Sequence, residues 1–233
     1  MTIFIVILAL LGLILLSLLW TGYKGYYFPS FVRKTDNGVK KVACVGDSIT
    51  YGFQINNWFS YQYPKLLQIL LGNQWVVQNF GLSGSTAMRS AKMSYPRFSN
   101  YRKSLAFQPD IVVIMFGTND ANAQNWQGEA AYVSEYRELL SSYQGLPSGP
   151  KLYLMTPPSL LYPKTEEDAA MNAHIAIERD CVKSLARELG CKVIDLFAHT
   201  SGHFDWFQSD GIHPNAKGAM EIAHNVYESI CTD

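Results

Sequence analysis

Residues 41–50 read KVACVGDSIT. The first six form a short apolar run closed by glycine, the pattern of a strand covered on both faces. The Gly-Asp-Ser that follows turns the chain, and Ser48 stands between this strand and an expected helix. Further runs repeat the apolar pattern at residues 75–80 (WVVQNF), 111–116 (IVVIMF), 151–155 (KLYLM) and 191–196 (CKVIDL). Helical segments separate them. Pro64 opens PKLLQILLG and Gly72 stands past its end, proline at the first turn and glycine after the last. Residues 129–143 set Ala130, Val133, Tyr136 and Leu140 along one face. Thr165-Glu-Glu-Asp168 has the form of a capping box, and Gly190 stops the long helix it opens. Residues 216–230 supply the last helix, with Pro214 expected at its start. Five strands alternating with helices imply right-handed crossovers and a parallel, doubly wound α/β sheet.

Ligands of such sheets bind beyond the carboxyl ends of the strands. The segments just after the strands hold the unusual residues: GDSIT at 46–50, GLSGST at 81–86, GTND at 117–120 and DGIHPN at 210–215. A hydroxyl, a glycine, a carboxamide and an Asp–His pair thus gather on one rim. Nucleophile, base, orienting acid and oxyanion donors are what acyl transfer through a serine ester requires.

GDSIT, the Ser83-Gly84 pair, GTND and DGIHP resemble, in order, the four blocks of the SGNH hydrolases, also called the GDSL esterase family, over about residues 41–230. The resemblance implies a flavodoxin-like three-layer sandwich whose five-stranded parallel sheet has the order 2-1-3-4-5. It also implies esterase or lipase activity needing neither metal nor cofactor. It assigns Ser48 as nucleophile, His213 as base and Asp210 as the partner that orients the ring. Ser48, Gly84 and Asn119 become the oxyanion donors. DGIHPNAKGA, residues 210–219, resembles the carbohydrate and sialate O-acetylesterase branch, which favours a small acyl group on a sugar. A lysophospholipase or thioesterase of the same fold and a catalytically silent glycan-binding module are the competing functions.

Each assigned role has a physical basis. Ser48 at the start of a helix places its hydroxyl at the positive end of the dipole, with its own N–H aimed at a developing oxyanion. Glycine at 84 lets a backbone N–H approach the substrate without a Cβ in the way. Asn119 offers a side-chain amide as a further donor. Asp210 can accept from one imidazole nitrogen while the other faces Ser48. Ser83 and Ser85 lack the G-x-S-x-G elbow of the α/β-hydrolases. His199 and His203 straddle no regular helix, so a zinc site has no support. Asp47 and Asp120 read as caps or braces. Trp58, Phe59, Tyr61 and Tyr63 read as packing behind the first loop, some of them lining the acyl or sugar pocket.

The amino-terminal end is a different polymer. Residues 3–20 read IFIVILALLGLILLSLLW, without charge and with Ser17 as the one polar side chain. At ~1.5 Å per residue such a helix spans about 27 Å, near the thickness of a bilayer core. Trp20, Tyr23, Tyr26, Tyr27 and Phe28 follow as interfacial aromatics. The expected organisation is a transmembrane anchor over 1–22, a linker over 23–39 and an SGNH hydrolase domain over 40–233. A cleaved signal peptide is the rival, disfavoured by the length of the run and the lack of Lys or Arg ahead of it. Lys24, Arg33, Lys34, Lys40 and Lys41 follow the span and by simple count favour a cytoplasmic domain, whereas signal-anchored bacterial esterases often face outward; the side stays open. Across the chain, 48% of residues are hydrophobic, and 19 basic residues balance 19 acidic ones. This excludes disorder over most of the length and disfavours nucleic-acid binding by bulk charge. The expected partners are a small-molecule or glycan ester and the membrane, with the oligomeric state left open. None of the four cysteines forms a C-x-x-C pair, and all read as reduced structural thiols.

Overall fold

The computed structural model describes residues 2–23 and 38–232, so most of the expected linker, with Lys24, Arg33 and Lys34, lies outside the described residues. Helix α1 (Thr2–Tyr23) is the apolar segment, and its Phe4–Tyr23 stretch is long and apolar enough to cross a membrane, a test that a signal sequence also passes.

Strands β1 (Lys40–Gly46), β2 (Trp75–Asn79), β3 (Ile111–Met115), β4 (Lys151–Met155) and β5 (Lys192–Ile194) pair in parallel in the order β2-β1-β3-β4-β5. Helices α2 (Ser48–Tyr51), α3 (Trp58–Tyr61), α4 (Tyr63–Leu71), α5 (Ser99–Ala106), α6 (Glu129–Gln144), α7 (Glu166–Leu189), α8 (Leu196–Thr200) and α9 (Ala216–Cys231) lie between and after them. This is the expected three-layer α/β arrangement.

The continuous apolar strands are explained by two cores. Alternate side chains of a strand point to opposite faces. Ala43, Val45, Val112 and Ile114 enter one core with Tyr132 and Tyr136 of α6 and Val182 and Leu185 of α7. Their neighbours Val42, Cys44, Val113 and Met115 enter the other with Leu66 and Leu67 of α4 and Ile222 and Val226 of α9. Burial pushes the Cys44 thiol up to about 12, as suits an inert structural cysteine.

Two expectations need correction. The run at 191–196 yields only a three-residue strand, because Asp195 turns inward to accept from Ala198 N at 3.2 Å and starts α8. As an edge strand it leaves Lys192 and Val193 exposed, and Cys191 precedes it half-buried instead of lying within it. Pro214 does not begin the last helix. Asn215 caps α9, its Oδ1 accepting from Lys217 N at 2.9 Å and Gly218 N at 3.1 Å, and Pro214 bridges back to Phe207.

Candidate active site

The site is built at the carboxyl ends of β1, β2 and β3. Gly46 ends β1 where a Cβ would lie 2.3 Å from Thr50 Oγ1 and 2.5 Å from Met115 O, so only glycine permits the turn. Asp47 then caps α2, accepting from Ile49 N at 2.9 Å, and Ser48 opens the helix with its side chain largely covered. Burial pushes the Asp47 carboxyl up to about 6, although the Ile49 N–H and His213 pull against the shift.

His213 arrives from the loop before α9. Its Nε2 lies 2.9 Å from Ser48 Oγ and its Nδ1 lies 2.7 Å from Asp210 Oδ2. The other Asp210 oxygen accepts from Ile212 N at 2.9 Å and His213 N at 3.0 Å. Gly211 makes this tight loop possible with φ of +69°. Partial burial alone would raise the Asp210 pKa, but its bonds from the His213 ring and from the two backbone N–H groups lower it to about 2. It is therefore ionised at neutral pH and faces the ring nitrogen opposite to the one facing Ser48. Phe53 packs on the imidazole with centroids 5.0 Å apart.

The second and third loops are tied to each other. Leu82 to Ser85 form a turn closed by Ser85 N to Leu82 O at 3.1 Å, with Gly84 at its third position and φ of +79°. A positive φ there defines a type II turn and calls for glycine. The nearest heavy atom to an added Cβ is 4.0 Å away, so Gly84 serves the turn's dihedral angle and not a crowded approach. Asn119 Nδ2 donates to Ser85 O at 3.0 Å and lies 3.5 Å from Asp47 Oδ2. Asp120 accepts from Ala87 N at 3.2 Å and Met88 N at 2.9 Å, bracing the same pair of loops. Burial pushes its carboxyl up to about 7, against those two bonds.

Ser48, Asn119 and His213 line one cavity of about 260 Å³. Gly84 is exposed on its turn and is not among the residues lining that cavity, although its neighbour Ser85 is bonded to Asn119. The remaining wall was not anticipated: Asn122 follows the third loop, Glu167, Asp168 and Met171 come from the start of α7, and Ile212 sits beside the histidine. The capping box at Thr165 and Asp168 was the one visible signal that this end of α7 is sharply fixed. The aromatic run at 58–63 does not reach the cavity lining; Trp58 and Tyr63 are buried, and the Trp58 indole donates to Tyr51 O.

An acetylxylan esterase of Xylanibacter ruminicola is 32% identical over 225 residues, covering 88% of this chain and 46% of the relative. A GDSL esterase/lipase of Arabidopsis thaliana is 24% identical over 164 residues, covering 63% of this chain and 62% of the relative. The chain thus spans about half to three-fifths of the length of these relatives. The carbohydrate acetylesterase Est24 of Sinorhizobium meliloti superposes with a TM-score of 0.67 over 83% of this chain and 99% of that one at 18% identity, a likeness of fold. The native aryl esterase of M. smegmatis gives a TM-score of 0.67 over 83% and 99% at 19% identity. The profile of one family matches residues 44–220, a span running from Cys44 in β1 through every loop of the site into α9, and the chain belongs to that family, the GDSL-like lipase/acylhydrolases.

Proposed function

We propose that this chain is a carboxylic ester hydrolase that removes a small acyl group, acetyl in the first instance, from a carbohydrate-type ester. The reaction runs through an acyl-Ser48 intermediate, with Ser48, Asp210 and His213 catalytic and the Ser48 and Gly84 N–H groups and the Asn119 amide as oxyanion donors. The observation that carries this reading is the unbroken chain from Ser48 Oγ through the His213 ring to Asp210, at 2.9 Å and 2.7 Å.

Ser48 Oγ attacks the ester carbonyl carbon while its proton passes to His213 Nε2. Asp210 stabilises the imidazolium through Nδ1 and holds the ring in the required tautomer. The carbonyl oxygen gains the electron pair and meets the oxyanion donors. The intermediate collapses, the alcohol oxygen leaves with the proton from Nε2, and the acyl group stays on Ser48. A water then repeats the attack, giving its proton to Nε2, and the carboxylic acid departs as Ser48 recovers its proton.

The cavity supports the choice of a short acyl group. At about 260 Å³ it lies below the roughly 300–1,000 Å³ of sites for drug-sized ligands, and its walls are mixed, with Glu167, Asp168, Asn119 and Asn122 interrupting the apolar surface of Ala123, Met171 and Ile212. A long alkyl chain needs a longer, apolar channel. The acetylxylan esterase relative points to the same class. Residues 1–22 would anchor the protein in the membrane and 23–39 link them to the catalytic domain at 40–233.

A fluorophosphonate probe, which phosphonylates activated serines, tests the mechanism on the full chain in detergent. Wild type is expected to label and Ser48→Ala to remain unlabelled. Folded wild type that fails to label would refute an activated Ser48. Turnover of p-nitrophenyl acetate, octanoate and palmitate tests the acyl length, with acetate expected to be fastest; a preference for palmitate would replace the acetyl reading with the lysophospholipase or thioesterase one.

A further inference from the structure

Outside α1, the Phe, Tyr and Trp side chains exposed among the described residues are Tyr61, Tyr162 and Phe204. Two of these stand together. Tyr162 and Phe204 have ring centroids 5.1 Å apart at 43°, with 38% and 49% of their surfaces exposed.

Their place is set by the loop that carries the Asp210–His213 pair. Leu161 N donates to Gly211 O at 3.0 Å, and a Cβ on Gly211 would lie 2.7 Å from Tyr162 Cδ2. The Tyr162 ring therefore rests on the residue next to Asp210. Behind it, Asn172 of α7 clamps Leu160 through bonds of 2.9 Å and 3.1 Å to its N–H and carbonyl. Phe204 opens a short 3-10 turn whose last residue, Trp206, is buried and accepts from Asn215 N at 2.9 Å. Both rings are thus fixed on the scaffold that holds the histidine, and both keep a substantial part of their surface open to water.

We propose that Tyr162 and Phe204 form a stacking platform for a pyranose ring of the chain that bears the scissile ester, on the Asp210 side of the cavity. The proposal rests on the carbohydrate reading above and deepens it. A sugar presents weakly positive C–H groups on its ring faces, which complement the negative face of an aromatic ring, and hydroxyls at its rim. The surroundings suit that mixed character. Asp205 next to Phe204 pairs with Lys217, and Glu167 and Asp168 line the nearby cavity, so the rings sit among charged groups instead of continuing into aliphatic surface. A lipid chain would need that aliphatic continuity.

The test is binding of xylohexaose, which carries no acyl group, to the full-length Ser48→Ala protein in detergent by isothermal titration calorimetry. In that background Tyr162→Ala and Phe204→Ala are each expected to weaken binding about tenfold. Tyr162→Leu, which keeps apolar contact with Gly211 but loses the flat ring, is expected to do the same. Tyr61→Ala is the control and leaves the affinity unchanged. Circular dichroism reports that each variant is folded. Equal affinity of parent and ring variants would overturn the platform, as would a parent that binds neither xylohexaose, cellohexaose nor mannohexaose at millimolar concentration. Ring variants that lose binding to phosphatidylcholine vesicles and keep sugar binding would overturn it in favour of a lipid contact. A wild type that binds xylohexaose through these rings yet fails to deacetylate acetylated xylohexaose would leave the platform standing and refute the sugar-ester substrate.

Discussion

At the scale of single residues, the separation of labour within Asp210 makes the orienting role testable apart from folding. Its Oδ1 holds the backbone N–H groups of Ile212 and His213, and its Oδ2 alone faces the imidazole. An asparagine can keep the first set of bonds with its carbonyl oxygen, leaving an amide N–H opposite the ring. Asp210→Asn is therefore expected to fold with the loop intact and to lower kcat by up to about 10⁴, because the ring takes the wrong tautomer. Steady-state kinetics with p-nitrophenyl acetate reads the loss, and a change under tenfold would remove Asp210 from the proposed mechanism. Asn119 is less cleanly divided. Its amide already donates to Ser85 O at 3.0 Å, so it braces the second loop as well as lining the cavity. Asn119→Ala is expected to lower kcat by about 10²–10³, the usual effect of losing one oxyanion donor, with KM changed far less. A fall confined to KM would make Asn119 a substrate contact and not an oxyanion donor.

At the scale of elements, the turn from β1 into α2 is a tightly packed joint. Gly46→Ala would drive its Cβ onto Thr50 Oγ1 and the backbone oxygen of Met115, and the latter belongs to a central strand that cannot move away. We expect a loss of at least about 1–3 kcal/mol in urea denaturation, with reduced turnover because the turn also aims Ser48. Wild-type stability and turnover in this variant would mean that the joint has slack the packing does not reveal. The elements legible in the sequence are those whose signal is local. Residues 111–116 are apolar throughout, and residues 41–46 and 75–80 largely so, because the strands pack against cores on both faces of the sheet, and the box at Thr165 and Asp168 closes within one turn. The signals that failed compete with a neighbour: the run at 191–196 is cut short because Asp195 prefers to cap α8, and Pro214 yields the helix start to Asn215. The site loops were readable because each block keeps its residues close in sequence. The cavity wall from Glu167 to Met171 was not, since α7 lies far along the chain from Ser48 and reaches it only through packing.

At the scale of the whole molecule, three carboxyl groups lie in the interior behind the loops. Asp47 and Asp120 are fully buried, and burial pushes them up to about 6 and about 7. Glu178 of α7 is raised well above its ordinary value by burial, with Asp120 and Asp47 adding repulsion. Neither of its carboxyl oxygens has a hydrogen-bond partner among the described residues, and it packs where a Cβ on Gly117 would lie 2.8 Å from Oε2. The sign of the linkage follows. Unfolded carboxyls titrate near ~4, so between that pH and the raised native values the folded state binds more protons than the unfolded one. Stability must therefore fall as pH rises through this window, a few kcal/mol for a fully buried group. Asp210, lowered to about 2, contributes oppositely, adding stability that is lost only as pH falls below about 4 toward 2. Among these four groups, the three raised carboxyls thus favour the folded state on the acid side of their native values, and Asp210 favours it above about 4. Glu178→Gln removes one titration without breaking an existing bond, so its effect on the urea midpoint should be more favourable at pH 7.5 than at pH 4.5. The amide's own unpaired donors add the same penalty at both values and cancel in the comparison. An equal effect at the two pH values would mean that Glu178 is as easily ionised inside the protein as outside it, and that the interior is wetter around α7 than its packing implies.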